Sequence, residues 1–528
     1  MKRTAGIIFR TIILILIGIA IGIWITDYNF SGSKIGFRNT GNDKILKTLY
    51  LVKNNYVDSI NTDSIEGVTV NDLLQNLDPH SIYLPARQAQ SLNEKLDGGF
   101  TGIGLEYQLL RDTLVITQIY NDGPAAHAKL PTGSKVLTVN GKPFSGTHLT
   151  VNRISRTFRG AKDTKITLGV LMDNGQTASY TIKRGFVDLS SLDAAYLTDN
   201  FTGYIKITKF ATTTDDDFRS ALQKLKAQGM KKLVLDLRGN GGGYVNTATA
   251  MADEFLPGGK LIVYTKGAHE PRTDYFSTDS GNYLTGKLAV MIDERSASAS
   301  EILAGALQDL DRATIIGRRS FGKGLVQQQY PFGDGTAINL TIARYYTPSG
   351  RSIQKSYKDG LESYQNELVN RERKGELLSA SSNLSDSAFA GTTTYHTVNG
   401  RPVFSKGGIM PDVFIPVDTT QFSILLDELN ENQLFSAFVI DKLHPVLKKY
   451  ATADDFIAHF EITDDIFKNF ISYASQTIKV MDPLELKASR EMIKTVLKAN
   501  TARFKWGNNA YYRIINSNDK TFKAAINL

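Results

Sequence analysis

Three short stretches of this sequence hold residue types that could together perform hydrolysis. Ser298 lies in Ser296-Ala-Ser-Ala-Ser300, directly ahead of a helical pattern, and Lys323 lies in Phe321-Gly-Lys-Gly324, 25 residues further on. Arg238-Gly-Asn-Gly-Gly-Gly243 is a turn whose backbone can approach a ligand closely. A serine at a helix N-terminus is favoured as a nucleophile, because the backbone N–H groups there can hold an oxyanion. It needs a base, and a lysine can serve when burial disfavours its ammonium form. Taken singly, each has a plainer reading. SASAS before Glu301 also makes a helix cap, and a lysine between glycines is also a solvated turn residue.

Other chemistries fit less well. Gly317 to Gly324 has the G-x4-G-K spacing of a phosphate-binding loop, but Gly324 stands where Ser or Thr must bind magnesium. The segment then runs into LVQQQY, which alternates like a strand. None of the seven histidines forms an HExxH pair, and none lies in the three stretches above. A Ser–His hydrolase acting on small esters stays open as an alternative. There is no cysteine, which excludes disulfides, thiolate nucleophiles and Cys-ligated metals. The net charge of +8 is spread without long like-charged runs, so no nucleic-acid partner is expected. No cofactor or metal is called for.

The elements that must position these groups follow from the hydropathy pattern. With 528 residues, 41% hydrophobic and 22% charged, the chain can bury several cores. Residues 186–416 alternate apolar strands and helices, as in YIKI (204–207), LVLDL (233–237), LAVMID (288–293) and ATIIG (313–317). That predicts an α/β core, in which functional groups gather outside the carboxyl ends of the strands. The stretches 238–243, 294–300 and 318–324 all leave such ends, which would set Ser298 beside Lys323. Residues 98–185 predict a small β-rich domain from LVITQIY (114–120), KVLTVNG (135–141) and KITLGVLM (165–172). Residues 42–97 and 417–528 predict helices, and the Ser/Thr/Ala-rich stretch 379–394 predicts a mobile loop. The overall fold class is multidomain α+β.

Residues 1–30 hold the one membrane-like segment. Thr11 to Thr26 is uncharged and apolar behind Lys2, Arg3 and Arg10. It reads as an uncleaved anchor, with a cleaved signal peptide as the rival. The flanking charges predict a single-pass protein of the inner membrane, its remainder facing the periplasm or another extracytoplasmic space.

SASASEILAGALQD (296–309) followed by FGKGLVQ (321–327) resembles the carboxyl-terminal processing peptidases, or tail-specific proteases. Leu77-Asp-Pro-His-Ser-Ile-Tyr83, ARYYTPSGRSIQK (343–355) and Gly407-Gly-Ile-Met-Pro-Asp412 extend the resemblance across roughly residues 42–416. Gly102-Ile-Gly-Leu105, Gly123-Pro-Ala and Arg159-Gly160 resemble that family's PDZ domain, although Gly133-Ser134 stands where Gly-Asp is usual. The resemblance implies a serine endopeptidase with a ClpP/crotonase-like α/β core and an inserted or preceding PDZ domain. It implies Ser298 as nucleophile, Lys323 as base and Gln327 as support for that lysine. It further implies an oxyanion hole from the backbone of Gly242 and Ala299, and Asp309 as an acidic residue supporting the site. Gly102, Ile103, Gly104 and Leu105 would bind the C-terminal tails of protein or peptide substrates, by strand addition and capture of the terminal carboxylate. A catalytically silent PDZ scaffold or chaperone for protein C-termini is the alternative function. The Leu77 to Tyr83 motif reads as a turn and helix stop with no chemistry of its own.

Overall fold

The computed structural model describes residues 44–528 apart from 111, 121, 147–148, 380–392, 406 and 419–422. The membrane segment expected at 11–26 and nearly all of the loop expected at 379–394 lie outside these residues. The chain divides into two compact units, Met1–Leu73 and Leu74–Leu528. In the first, the helix Lys44–Asn55 has no buried residue.

The second unit is a mixed α/β structure built on a six-stranded sheet. Strands Thr202–Ile207, Lys232–Asp236, Lys287–Ile292, Thr314–Gly317 and Val413–Phe414 run parallel, and Leu192–Leu197 pairs antiparallel at one edge. The inner strands are near-continuous apolar runs, as a parallel sheet covered on both faces requires. Alternate residues serve opposite faces. Ile205, Leu233, Leu235, Val290 and Ile292 pack with Phe218, Met251 and Leu303 from helices Thr214–Ala227, Val245–Asp253 and Ala299–Asp309. Tyr204, Val234, Ala289, Met291 and Ile316 meet Phe522 and Ala525 of the last helix, Lys520–Ile526. Because the strands are parallel, the turns after Asp236, Ile292 and Gly317 emerge at one rim.

A second sheet closes over that rim. Ala337–Tyr346 pairs with Leu325–Pro331, Leu261–Lys266 and the early strand Ile82–Leu84. From Ile82–Leu84 the chain runs through the helix Ala86–Leu96 into strand Gly99–Gly102, which pairs with Gly185–Asp188. Between these paired strands lies a small sheet in the order Leu105–Leu110, Thr113–Ile119, Lys135–Val139, Lys165–Leu171, Thr177–Lys183. Its core of Leu114, Ile116, Val136, Ile166 and Leu168 is covered by Ile154 and Phe158 of helix Val151–Phe158.

After Val413–Phe414 the chain is helical and has its own core, with Phe435, Phe438, Phe456, Phe470 and Leu497 at its centre. Its longest helix, Pro483–Asn516, starts with proline at the first position behind the capping Asp482, and is interrupted at Gly507, where φ is 72°. The expected single-pass placement in the inner membrane, facing the periplasm, is overturned here. Among the described residues no helix is long and apolar enough to cross a membrane. The 34-residue helix has the length, but Lys487, Arg490, Lys494, Lys498 and Arg503 recur along it.

Phe522 joins the last helix to the central sheet, its ring edge-on to Tyr204 with centroids 5.4 Å apart. Phe522→Ala should cost about 3 kcal/mol through the cavity it leaves. Chemical denaturation should therefore show an earlier midpoint for this variant.

Candidate active site

Ser298 occupies the sharp turn between strand Lys287–Ile292 and helix Ala299–Asp309, with φ 55° and ψ −114°. A non-glycine residue in this backbone region costs about 1–3 kcal/mol and persists only when its surroundings hold it there. Two contacts do so. The Ser298 N–H donates to Glu301 Oε2 at 2.9 Å. The glycine-rich turn presses on the other side, where a Cβ on Gly242 would lie 2.7 Å from the Ala297 oxygen and 2.8 Å from Ser298 Cβ. Only glycine fits at that position. Asn240 laces the two loops together, its carbonyl accepting from the Ala297 N–H at 3.0 Å and from Ser300 Oγ at 2.9 Å.

Lys323 lies on the neighbouring loop, and its backbone is tied to the same carboxylate. Glu301 Oε2 accepts from the Lys323 N–H at 2.9 Å as well as from Ser298, while Oε1 accepts from the Gly322 N–H at 2.7 Å and from Ser320 Oγ at 2.5 Å. Glu301 is fully buried, and burial pushes its carboxyl up to about 7 against the pull of these four donors. Burial also holds the Lys323 amine below the ordinary lysine value, opposed by the charges of Glu301 and Asp78. Further along, Arg371 donates to the carbonyls of Arg319 at 2.8 Å and Ser320 at 3.1 Å, and Tyr345 Oη donates to the Lys323 carbonyl at 2.8 Å.

Ser298, Lys323, Gln327 and Gly242 line one cavity of about 490 Å3, together with Leu96 and Tyr345. Gln327 Nε2 donates to Thr341 Oγ1 at 3.2 Å. Ala299 is the first residue of its helix, where N–H groups have no intrahelical acceptor. Gly242 packs against Ser298 and Ala299, and its N–H donates to Asn240 Oδ1 at 2.8 Å. Asp309 sits at the far end of the serine helix, about 16 Å along its axis. There it is buried against Arg351, with Nη2 to Oδ1 at 2.7 Å, and it accepts from the Ser349 N–H at 3.1 Å.

Ile103, Gly104 and Leu105 line a separate cavity of about 440 Å3 with Val151 and Phe158, beside an edge strand of the small sheet; Gly102 does not reach it. A third cavity of about 780 Å3 lies between the two. It shares Phe100 and Arg159 with the small-sheet cavity, and Asn93 and Gln329 with the serine cavity.

Sequence reasoning missed two features of this site. Glu301 carries the Ser-x-x-Glu signal of a capping box, and that pattern alone says nothing of a second loop ending on the same carboxylate. His80 arrives from a distant turn. It stands near Lys323, but its Nε2 is 2.7 Å from Tyr364 Oη, and burial with the nearby Lys323 charge lowers it to about 4.

Residues 201–362 match peptidase family S41, and residues 425–507 match a family of unknown function, DUF8443. The chain is 36% identical over 309 residues to the carboxy-terminal-processing protease of Bartonella bacilliformis, covering 57% of this chain and 70% of that protein. It is 32% identical over 326 residues to the carboxy-terminal processing protease CtpB of Bacillus subtilis, covering 60% of this chain and 66% of that one. A solved photosystem II D1 C-terminal processing protease is 26% identical, with a TM-score of 0.31 over 58% of this chain and 89% of that chain.

Replacing Glu301 by Gln keeps the shape but turns one acceptor into an N–H donor. With the amide nitrogen in place of Oε2, the Ser298 and Lys323 N–H groups lose their acceptor; with it in place of Oε1, the Gly322 N–H does, and the Ser320 hydroxyl must turn to accept. Glu301→Gln should destabilise the protein by about 3 kcal/mol and lower kcat/KM for a peptide substrate. Thermal melting and steady-state assays check both effects.

Proposed function

Because the chain belongs to the carboxy-terminal processing proteases, serine-type peptidases of family S41, we propose that it cleaves peptide bonds with Ser298 as nucleophile and Lys323 as general base. The observation that carries this reading is the shared cavity. Into it open a serine held at positive φ and a lysine whose amine is depressed by burial, their loops joined through Glu301. In the first step the neutral Lys323 amine takes the hydroxyl proton as Ser298 Oγ bonds to the scissile carbonyl carbon. The lysine then gives that proton to the leaving amine, which departs and leaves an ester on Ser298. Water, deprotonated by the same amine, attacks the ester and frees the serine. Gln327 supports the lysine. The Ala299 N–H is one donor to the oxyanion. Gly242 becomes the second once its N–H leaves Asn240, so the glycine turn must shift as the site is engaged. Asp309, paired with Arg351, anchors the far end of the serine helix and takes no part in the chemistry.

Residues 98–185 are read as a PDZ domain and 186–416 as a ClpP/crotonase-like peptidase core, followed by a helical region from 417. The edge strand beginning at Leu105, with an apolar groove against helix Val151–Phe158, suits an extended tail added as a further strand. Ile103, Gly104 and Leu105 form the loop and strand start that meet the tail, and Gly102 ends the strand leading into them. The cavity sharing Phe100 and Arg159 with that groove gives the tail a route toward Ser298. Substrates are accordingly proteins or peptides with free C-termini.

Ser298→Ala should lower peptide cleavage by about four orders of magnitude or more with the melting curve retained, and Lys323→Ala should be nearly as severe. The double variant should cost little beyond either single one. The base must be neutral, so wild-type kcat/KM should rise with pH through a pKa below the ordinary lysine value. Ser298→Ala cleaving near the wild-type rate would refute the assignment.

A further inference from the structure

We infer that Asp78 is a positioning residue for the Lys323–Gln327 side of the site, acting on Gln327 through Thr341. This inference rests on the Ser298–Lys323 reading above. Asp78 lies in the turn Asp78-Pro-His-Ser81, which leads into strand Ile82–Leu84, and it is only 7% exposed. Its Oδ1 accepts from the His80 N–H at 2.8 Å, the Ser81 N–H at 3.0 Å and Thr341 Oγ1 at 3.0 Å, while Oδ2 accepts from Ser81 Oγ at 2.6 Å. A turn of this kind closes on itself in many proteins. Here the carboxylate also reaches a strand that carries the bonding partner of Gln327.

The polarity of that link is fixed by proton count. An ionised carboxylate can only accept, so Thr341 must spend its single hydroxyl proton on Asp78. Its lone pairs are then left to accept, which orients the Gln327 amide with Nε2 toward Thr341 at 3.2 Å. Gln327 Oε1 is thereby left free to accept from the Lys323 amine when the site is engaged. The strands set this arrangement, because a register shift between Val326 and Gln327 puts Gln327 opposite Thr341. Without Asp78 the hydroxyl can turn, and the amide has no preferred orientation.

Asp78 also bears on Lys323 as a charge. The groups facing that amine are Glu301 from the serine helix and Asp78 from the early turn, both favouring the ammonium. His80 stands beside Asp78 and is neutral above about pH 4; Lys355 is paired with Glu367 at 3.3 Å, over the Phe321 and Tyr364 rings. Tyr345 meets the Lys323 carbonyl, and burial keeps its hydroxyl protonated. Of these, Asp78 is the carboxylate that is also linked to Gln327 through Thr341.

The test measures kcat and KM for a peptide substrate across pH in the wild type, Asp78→Asn, Thr341→Val, Thr341→Ser and Lys323→Ala. Asn can keep the acceptor without the charge, so the acid limb of kcat/KM should move at least about half a unit lower. Val keeps the shape of Thr without its hydroxyl. Thr341→Val should lower kcat about tenfold at little-changed KM, and Thr341→Ser should restore it. A purely structural role would scale the rate without moving the limb. An unmoved limb in Asp78→Asn overturns the inference, and so does Thr341→Val turning over at the wild-type rate. Should Asp78→Asn fail to fold, the two Thr341 variants decide alone. Activity in Lys323→Ala would instead strike the dyad itself, so the two failures are told apart.

Discussion

A single buried carboxylate sets the geometry of the site. Glu301 accepts hydrogen bonds from the backbone N–H groups of Ser298, Gly322 and Lys323 and the Ser320 hydroxyl, so two loops from different strands end on one group. Hydrogen bonds to a buried carboxylate are short and directional, and four of them leave little freedom to either loop. The strained backbone of Ser298 depends on this tether, and the close approach of Gly242 on Asn240, whose carbonyl accepts from Ala297 and Ser300. Its cost is a carboxylate held out of water, which is why burial raises the Glu301 pKa to about 7 even with every donor in place.

The fold supplies this arrangement by placing strand ends. Parallel strands deliver the turns after Asp236, Ile292 and Gly317 to one rim, and the second sheet brings Gln327 and Thr341 over it. The serine helix is buried along its whole length, so its N-terminus cannot drift relative to the sheet. Arg351 against Asp309 fixes its other end. Rigid elements thus carry Ser298 and Gln327, while the cavity between Phe100 and Gln329 opens toward the small sheet.

Local pattern carried part of this into the sequence, and contact between distant segments carried the rest. The α/β alternation of residues 186–416 and the return of Lys323 beside Ser298 follow from short apolar strands and their connections, which local sequence encodes. Glu301 and Asp78 were visible only as a cap residue and a turn residue. Their second partners lie 22 and 263 residues away, and no local spacing announces such a meeting. The hydrogen bond from the Gly242 N–H to the Asn240 side chain two residues before it is likewise not legible from the glycine-rich pattern. The apolar run of residues 11–26 invited a membrane placement that no helix among the described residues supports.

The central claim is that Ser298 forms the bond to substrate. It is tested most directly by mixing the protein with a reactive ester substrate, quenching with acid during turnover and mapping the acylated peptide by mass spectrometry. The account predicts one acyl group on Ser298 Oγ, accumulating faster as pH rises and absent from Lys323→Ala. An acyl group on another residue, or turnover with no covalent intermediate, would contradict it.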